Sequence, residues 1–139
     1  NVDYGELDYL LIDMPPGTGD VPLTVFQQIH IDGALVITSP QDLVSLIVEK
    51  SLKMGKSMNV PLLGLITNMA YLKCPHCEKK IYLYGKAKTE DYAKSYGIRN
   101  LDEIALDPLL AEKVDQGAIE DYQKKLLPKA TSLLAMLRE

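Results

Sequence analysis

Cysteine is scarce in this chain: only two occur in 139 residues, which excludes a disulfide-stapled scaffold. A basic surplus is missing too. Fifteen Lys and Arg stand against 19 Asp and Glu, for a formal net charge of −4. The overall balance therefore carries no footprint for nucleic acid or an anionic membrane. No apolar run approaches the roughly 20 residues a membrane span needs. The opening Asn-Val-Asp-Tyr-Gly-Glu lacks an initiator Met and does not read as a signal peptide. Repeats, low-complexity tracts and linkers are absent as well. What is present is ordinary: 47% hydrophobic and 24% charged residues, with 9 Gly and 8 Pro. That much apolar surface offsets chain entropy and excludes disorder as the dominant state. The expectation is one cytoplasmic domain of α/β or α+β type.

Apolar runs fall at residues 7–14, 33–39 and 60–68, with a weaker one at 101–106. The first three are continuous rather than alternating, as in strands of a parallel sheet covered on both faces. Helical stretches lie between them. Asp20 is placed to N-cap a helix through Ile29, and Ser39-Pro40-Gln41-Asp42 reads as an N-cap followed by Pro at the first helical position. That second helix runs to about Met58, with Leu43, Leu46, Ile47 and Val48 inward and Glu49, Lys50, Lys53 and Lys56 outward. Asp107-Pro108 repeats the cap-plus-Pro logic, and Gly117 stops that helix. Leu126, Ala130, Leu133, Leu134 and Leu137 form a stripe on a last helix, with Pro128 at or near its start. The pattern predicts a doubly wound parallel sheet, with fewer strands than such sheets usually have. The expected organisation is a partial sheet, residues 1–139 forming the second half of a larger domain, with a cysteine-bearing insert at about 69–86.

An apolar run ending in Asp13, followed by Pro15-Pro16-Gly17-Thr18-Gly19, sets a carboxylate at the ligand-binding edge of a parallel sheet. Such an Asp holds Mg²⁺ beside nucleotide phosphates, and amides at Gly17 and Gly19 sense the terminal phosphate. In the alternative reading, Asp13 caps a turn and the glycines only satisfy backbone geometry. Both stay open on the motif alone.

Cys74-Pro75-His76-Cys77 admits three chemistries. A thioredoxin-like redox pair needs a helix after the first Cys, and the flanks here read instead as short extended arms around a turn. Metal binding suits the turn, but zinc and iron–sulfur centres normally take four ligands. His76 sits poorly for a metal held by both adjacent cysteines, and His30 reads as a helix-end cation. Two chains, each giving Cys74 and Cys77, would complete a four-thiolate set across a two-fold axis. An idle, reduced pair is the remaining possibility. Asn68, after the third apolar run, can pair with adenine through its amide or simply turn the chain. The Lys-rich helix face reads as solvated surface, and Tyr71, Tyr82 and Tyr84 as local packing around the cysteine turn.

Taken in order, Asp8-Tyr9-Leu10-Leu11-Ile12-Asp13-Met14-Pro15-Pro16-Gly17-Thr18-Gly19-Asp20, Ser39-Pro40-Gln41-Asp42, Val60-Pro61-Leu62-Leu63-Gly64, Asn68-Met69, Cys74-Pro75-His76-Cys77 and Leu106-Asp107-Pro108 resemble the Mrp/ApbC family of iron–sulfur P-loop ATPases. The resemblance implies a P-loop NTPase-like α/β fold lacking its N-terminal strands. It implies Asp13 as the switch II carboxylate near Mg²⁺, Gly17 and Gly19 as the switch loop, and Asn68, Leu106, Asp107 and Pro108 as adenine contacts. Cys74 and Cys77 become the ligands of a cluster, by analogy [4Fe–4S], bridging a homodimer that serves iron–sulfur apo-proteins. A metal-bridged dimerisation module, with zinc or iron–sulfur and no nucleotide chemistry, is the alternative. The sequence departs from the family at Glu78, where Gly is usual and strain on the knuckle is expected, and at Arg99, Asp102 and Ala105, where Pro and Gly are usual. No G-x-x-x-x-G-K-[ST] occurs. ATP hydrolysis by these 139 residues alone is therefore not expected.

Overall fold

The computed structural model describes residues 3–86 and 88–137; within α2 the side chain of Leu43 lies outside the description. In chain order the elements are α1 (Asp20–Gln28), β1 (Ala34–Thr38), α2 (Asp42–Ser57), β2 (Leu62–Lys73) and β3 (Lys80–Ile81). There follow α3 (Thr89–Tyr96), β4 (Arg99–Leu106), α4 (Pro108–Asp115), a 3-10 turn (Ile119–Asp121) and α5 (Pro128–Met136). The class is α/β. β2 is central, paired in parallel with β1 on one side and β4 on the other. Its far end turns back through the short antiparallel β3.

The continuous apolar runs have their expected consequence, because successive strand residues point to opposite faces. Leu65 packs on one side with Val48 and Leu52 of α2 and Ala93 of α3. Ile66 packs on the other with Leu101 and Ala130 of α5. The sheet is thus sandwiched between α2/α3 and α5. Close approach of β2 to β4 requires Gly64, where a Cβ would lie 2.8 Å from the Arg99 carbonyl oxygen and 2.7 Å from the Leu101 side chain. At the end of α4, Gly117 adopts φ 65°, the left-handed conformation that stops a helix.

Several expectations are corrected. Residues 7–14 are not a strand; they run outside the sheet, with Leu10 and Leu11 exposed. An apolar run becomes a strand only where a neighbouring edge accepts its backbone hydrogen bonds, and this one has no such pairing among the described residues. One anchor to a distant element is the Tyr9 hydroxyl, which donates to the Leu134 carbonyl at 3.4 Å. Asp20 is the first residue of α1 rather than its cap; Gly19 takes the cap position without a side-chain bond. α2 begins after Gln41, not Ser39, so Pro40 precedes the helix. Leu46 and Ile47 are exposed. The inward face is instead Val44, Val48 and Leu52, spaced four apart on one helix stripe. The third strand runs on past Asn68 to Lys73, so the first residues of the expected insert belong to the sheet. Asp107 does cap α4, accepting from the Leu109 N–H at 3.0 Å with Pro108 next, and Pro128 does open α5.

Asp102, buried in β4, accepts the backbone N–H of Ala130 at 2.8 Å and of Lys129 at 3.3 Å. The carboxylate so answers the positive end of α5 and fixes that helix to the sheet. Replacing it leaves two helix N–H groups unanswered. Asp102→Ala is expected to lower stability by about 1–3 kcal/mol at neutral pH, read from urea unfolding as a lower midpoint with unchanged slope.

Candidate functional site

β2 and β3 form a hairpin whose turn is the cysteine motif. Leu72 pairs with Ile81 and Lys73 with Lys80. Beyond them the Cys74 N–H donates to the Lys79 carbonyl at 3.0 Å, and the Glu78 N–H to the Cys74 carbonyl at 2.9 Å. Both cysteines are free thiols, Cys74 half-buried and Cys77 exposed. No helix follows Cys77, which removes the thioredoxin-like reading. The backbone N–H of His76, then that of Cys77 with help from its thiol, holds the Cys74 pKa below the ordinary thiol range. Amide donors aimed at a sulfur favour thiolate, the form that binds metal. Glu78 sits at φ 55°, the left-handed region that costs a residue with a Cβ about 1–2 kcal/mol. This is the strain expected where the family carries Gly.

The hairpin is braced from the sheet. Lys80 reaches across to Glu103 of β4 at 3.1 Å and lies 4.0 Å above the Tyr71 ring, which meets Tyr82 edge-on at 6.3 Å. Among the described residues no group of three or more His, Cys, Asp or Glu is gathered as a metal site. Cys74 and Cys77 could supply two ligands of the four a closed centre needs.

The remaining candidates divide between the sheet and the chain outside it. β4 runs beside β2, pairing Thr67 with Glu103 and Leu72 with Leu106, with a register break between Thr67 and Tyr71. Asn68 lies in that break. Its Oδ1 accepts the Met69 N–H at 2.9 Å, and Met69 has φ 53°. The Asn68 side chain so shapes a bulge within the strand and keeps its NH₂ free to donate. Leu106, Asp107 and Pro108 follow at the end of β4, level with the hairpin base. The Asp107 carboxylate is fully engaged: one oxygen caps α4, and the other accepts from the Tyr122 hydroxyl at 2.8 Å and from the Lys124 ammonium. Lys124, then Tyr122, holds this carboxyl below its usual pKa. Neither residue was singled out by the sequence, since Tyr122-Gln123-Lys124 has no motif spacing and meets Asp107 only through the turn after α4.

Asp13, Gly17 and Gly19 lie in the irregular segment before α1, with the Asp13 side chain exposed. Gly17 has φ 92°, a conformation that favours Gly. Among the described residues no hydrogen bond joins this loop to β1, β2 or β4. The structure thus groups the cysteines with the β4 end and leaves the Asp13 loop apart.

A family model described as ParA, the NUBPL iron-transfer P-loop NTPases, matches residues 1–138. The chain is 46% identical over 114 residues to an iron–sulfur cluster carrier protein of Aquifex aeolicus, covering 82% of this chain and 31% of that protein. It is 46% identical over 118 residues to the carrier of Methanocaldococcus jannaschii, with coverage of 84% and 41%. The iron–sulfur cluster transfer protein NUBPL of Mus musculus is 40% identical over 116 residues, with coverage of 84% and 36%. The chain therefore spans about a third to two-fifths of the length of these curated relatives. Among solved structures, a nucleotide-binding protein from Archaeoglobus fulgidus in complex with ADP matches with TM-score 0.77 and 44% identity, over 86% of this chain and 49% of that one.

Because backbone donors, rather than a neighbouring charge, lead the effect on Cys74, it should survive loss of the second thiol. In a Cys77→Ala chain, iodoacetamide is expected to alkylate Cys74 at a lower pH than a cysteine in an unstructured peptide, read by mass spectrometry. Coincident pH profiles would show that the turn does not favour the thiolate.

Proposed function

The chain belongs to the ParA family of NUBPL iron-transfer P-loop NTPases, and from that premise we propose that it carries an iron–sulfur cluster between two copies of itself. The cluster is cargo, bound by Cys74 and Cys77 of each copy and delivered to iron–sulfur apo-proteins. The observation that carries this reading is the knuckle itself: two thiols on one braced turn, one pushed toward thiolate, with no third ligand beside them among the described residues. A site supplying two of four ligands is completed by symmetry, since a two-fold axis doubles every ligand at once. Four thiolates suit a [4Fe–4S] or [2Fe–2S] cluster and also zinc. The family's iron-transfer description favours the cluster.

For nucleotide, this chain supplies the base side of a site. Asn68 follows the Thr67–Glu103 pair, and the turn at Leu106, Asp107 and Pro108 begins beside Leu72, about three strand residues or roughly 10 Å further along β4. A base seated between them would contact both ends of that stretch. Asp107 serves there by fixing the turn, because its carboxylate is already engaged. Asp13 offers an exposed carboxylate for Mg²⁺, and Gly17 and Gly19 offer flexible amides beside it. When bound, Mg²⁺-ATP supplies phosphoryl chemistry that drives switching in P-loop proteins. The cradle that grips the phosphates, a Gly-rich loop with its Lys, is not among these 139 residues.

Two measurements test the reading. Anaerobic reconstitution with iron and sulfide is expected to give brown absorbance near about 400 nm, one cluster per two chains, with dimer formation linked to loading. Cys74→Ala and Cys77→Ala should each abolish it, since one substitution removes two ligands of four; His76→Ala should leave it intact. Full loading of either cysteine variant, or loss of the cluster in His76→Ala, would end the four-thiolate assignment. Separately, calorimetric titration of these 139 residues with Mg-ATP should be near silent. Binding at about micromolar Kd, roughly −8 kcal/mol, would show that the base side and the Asp13 loop suffice without the phosphate cradle.

A further inference from the structure

Charge is unevenly distributed over this acidic chain. Between Lys73 and Lys88 lie five lysines (Lys73, Lys79, Lys80, Lys86 and Lys88) and one acid on the hairpin turn, Glu78, while the chain as a whole is −4. Two of the five are engaged, Lys80 with Glu103 and Lys88 with Asp42, each at 3.1 Å. Lys73 and Lys79 are exposed and have no ion pair among the described residues, and Lys86 has only the Tyr82 ring, 5.8 Å away. Lys73 stands directly opposite Lys80 in the hairpin, a like-charge pair that an isolated hairpin disfavours. Beside these cations Ile81, Leu83 and Tyr84 are exposed, at 43%, 56% and 49%. The surface that presents the two cysteines is therefore cationic at its edges and apolar between them.

We propose that this lysine-edged hairpin is the docking surface for an acidic apo-protein that receives the cluster, with Lys73, Lys79 and Lys86 as its charge contacts. The inference rests on the carrier reading and adds the chemistry of the partner. The second copy that shares the cluster meets this hairpin at the cysteines, but it brings the same positive charges and so leaves the lysines at the edges unneutralised and open to a third, acidic partner. An acidic partner is repelled by the net charge of the rest of the chain and drawn to this end, so electrostatics alone orients it toward Cys74 and Cys77. The exposed Ile81, Leu83 and Tyr84 then provide apolar area that short-range docking needs. An attraction of this kind acts over about a Debye length, roughly 10 Å at about 0.1 M salt, so it must weaken as salt rises.

The test uses a labelled apo-ferredoxin of strongly negative net charge as probe, with binding to the full chain followed by fluorescence anisotropy. Affinity is expected to fall about tenfold between about 50 and 300 mM salt. The triple variant Lys73→Glu, Lys79→Glu, Lys86→Glu should lose about tenfold or more at low salt and flatten the salt dependence. The corresponding Lys→Arg triple should bind as the parent does. Lys50→Glu with Lys56→Glu, on the exposed face of α2, is the control and should change affinity less than about twofold. An unchanged affinity in the hairpin triple, or an equal loss in the α2 control, overturns the proposal. So does equally tight, hairpin-dependent binding of phosphatidylglycerol vesicles or single-stranded DNA, which would make the surface a general polyanion binder. Reconstitution separates the two readings. A hairpin triple that loads its cluster but fails to bind ferredoxin supports docking, whereas a parent chain that binds ferredoxin yet never loads a cluster defeats the carrier reading alone.

Discussion

Leu65 and Ile66 are neighbours in β2, point to opposite faces of the sheet, and are both sealed from water. α2 and α3 pack on the first and α5 on the second. Burying two such side chains fully is worth about 1.5–3 kcal/mol each, and the same strand carries the fully buried Thr67. β2 cannot shift along its axis without replacing Gly64 by a bulkier residue where the strand approaches Arg99 and Leu101 of β4. The consequence reaches the site, because the twelve residues of β2 run from this core out to Lys73, the residue before Cys74. Core packing therefore sets where the thiols stand, and the bulge at Asn68 and Met69 sets the direction in which the strand leaves the core.

Much of this was legible in the sequence. Continuous apolar runs identified two-sided strands at β1 and β2, and Asp107-Pro108 and Gly117 marked the ends of α4 because their chemistry is local. The failures share one cause. Whether residues 7–14 form a strand, or whether Leu46 and Ile47 face inward, depends on which neighbours stand beside them, and composition does not carry that information. The same holds within the site. Cys74 and Cys77 announced themselves by spacing, whereas Tyr122 and Lys124 meet Asp107 only through the path of the turn. Asn68 shows a third case: it was read as a base contact or a chain-turning residue, and its side chain does bend the strand while leaving donors free.

The backbone of the knuckle explains why two cysteines on so short a turn differ. The turn folds back on its first residue, with the Cys74 N–H donating to the Lys79 carbonyl and the Cys74 carbonyl accepting from the Glu78 N–H, and the backbone N–H groups of His76 and Cys77 hold the Cys74 pKa down. Cys77 stays at the exposed tip. The resulting pair has one half-buried thiol whose backbone is bonded to the Lys79 carbonyl and one thiol exposed at the tip.

Glu78 brings the electrostatic and conformational arguments together. A left-handed Glu carries a backbone cost of about 1–2 kcal/mol that Gly would avoid, and it persists because the turn is determined on both sides. Its own N–H is bound to Cys74, the next residue's carbonyl is bound by the Cys74 N–H, and Lys80 is tied to Glu103 and Tyr71. At that position its carboxylate adds the single negative charge of the turn among five lysines. Strain at this residue and the cationic rim around it thus meet on one turn, held in place by the hairpin's own hydrogen bonds.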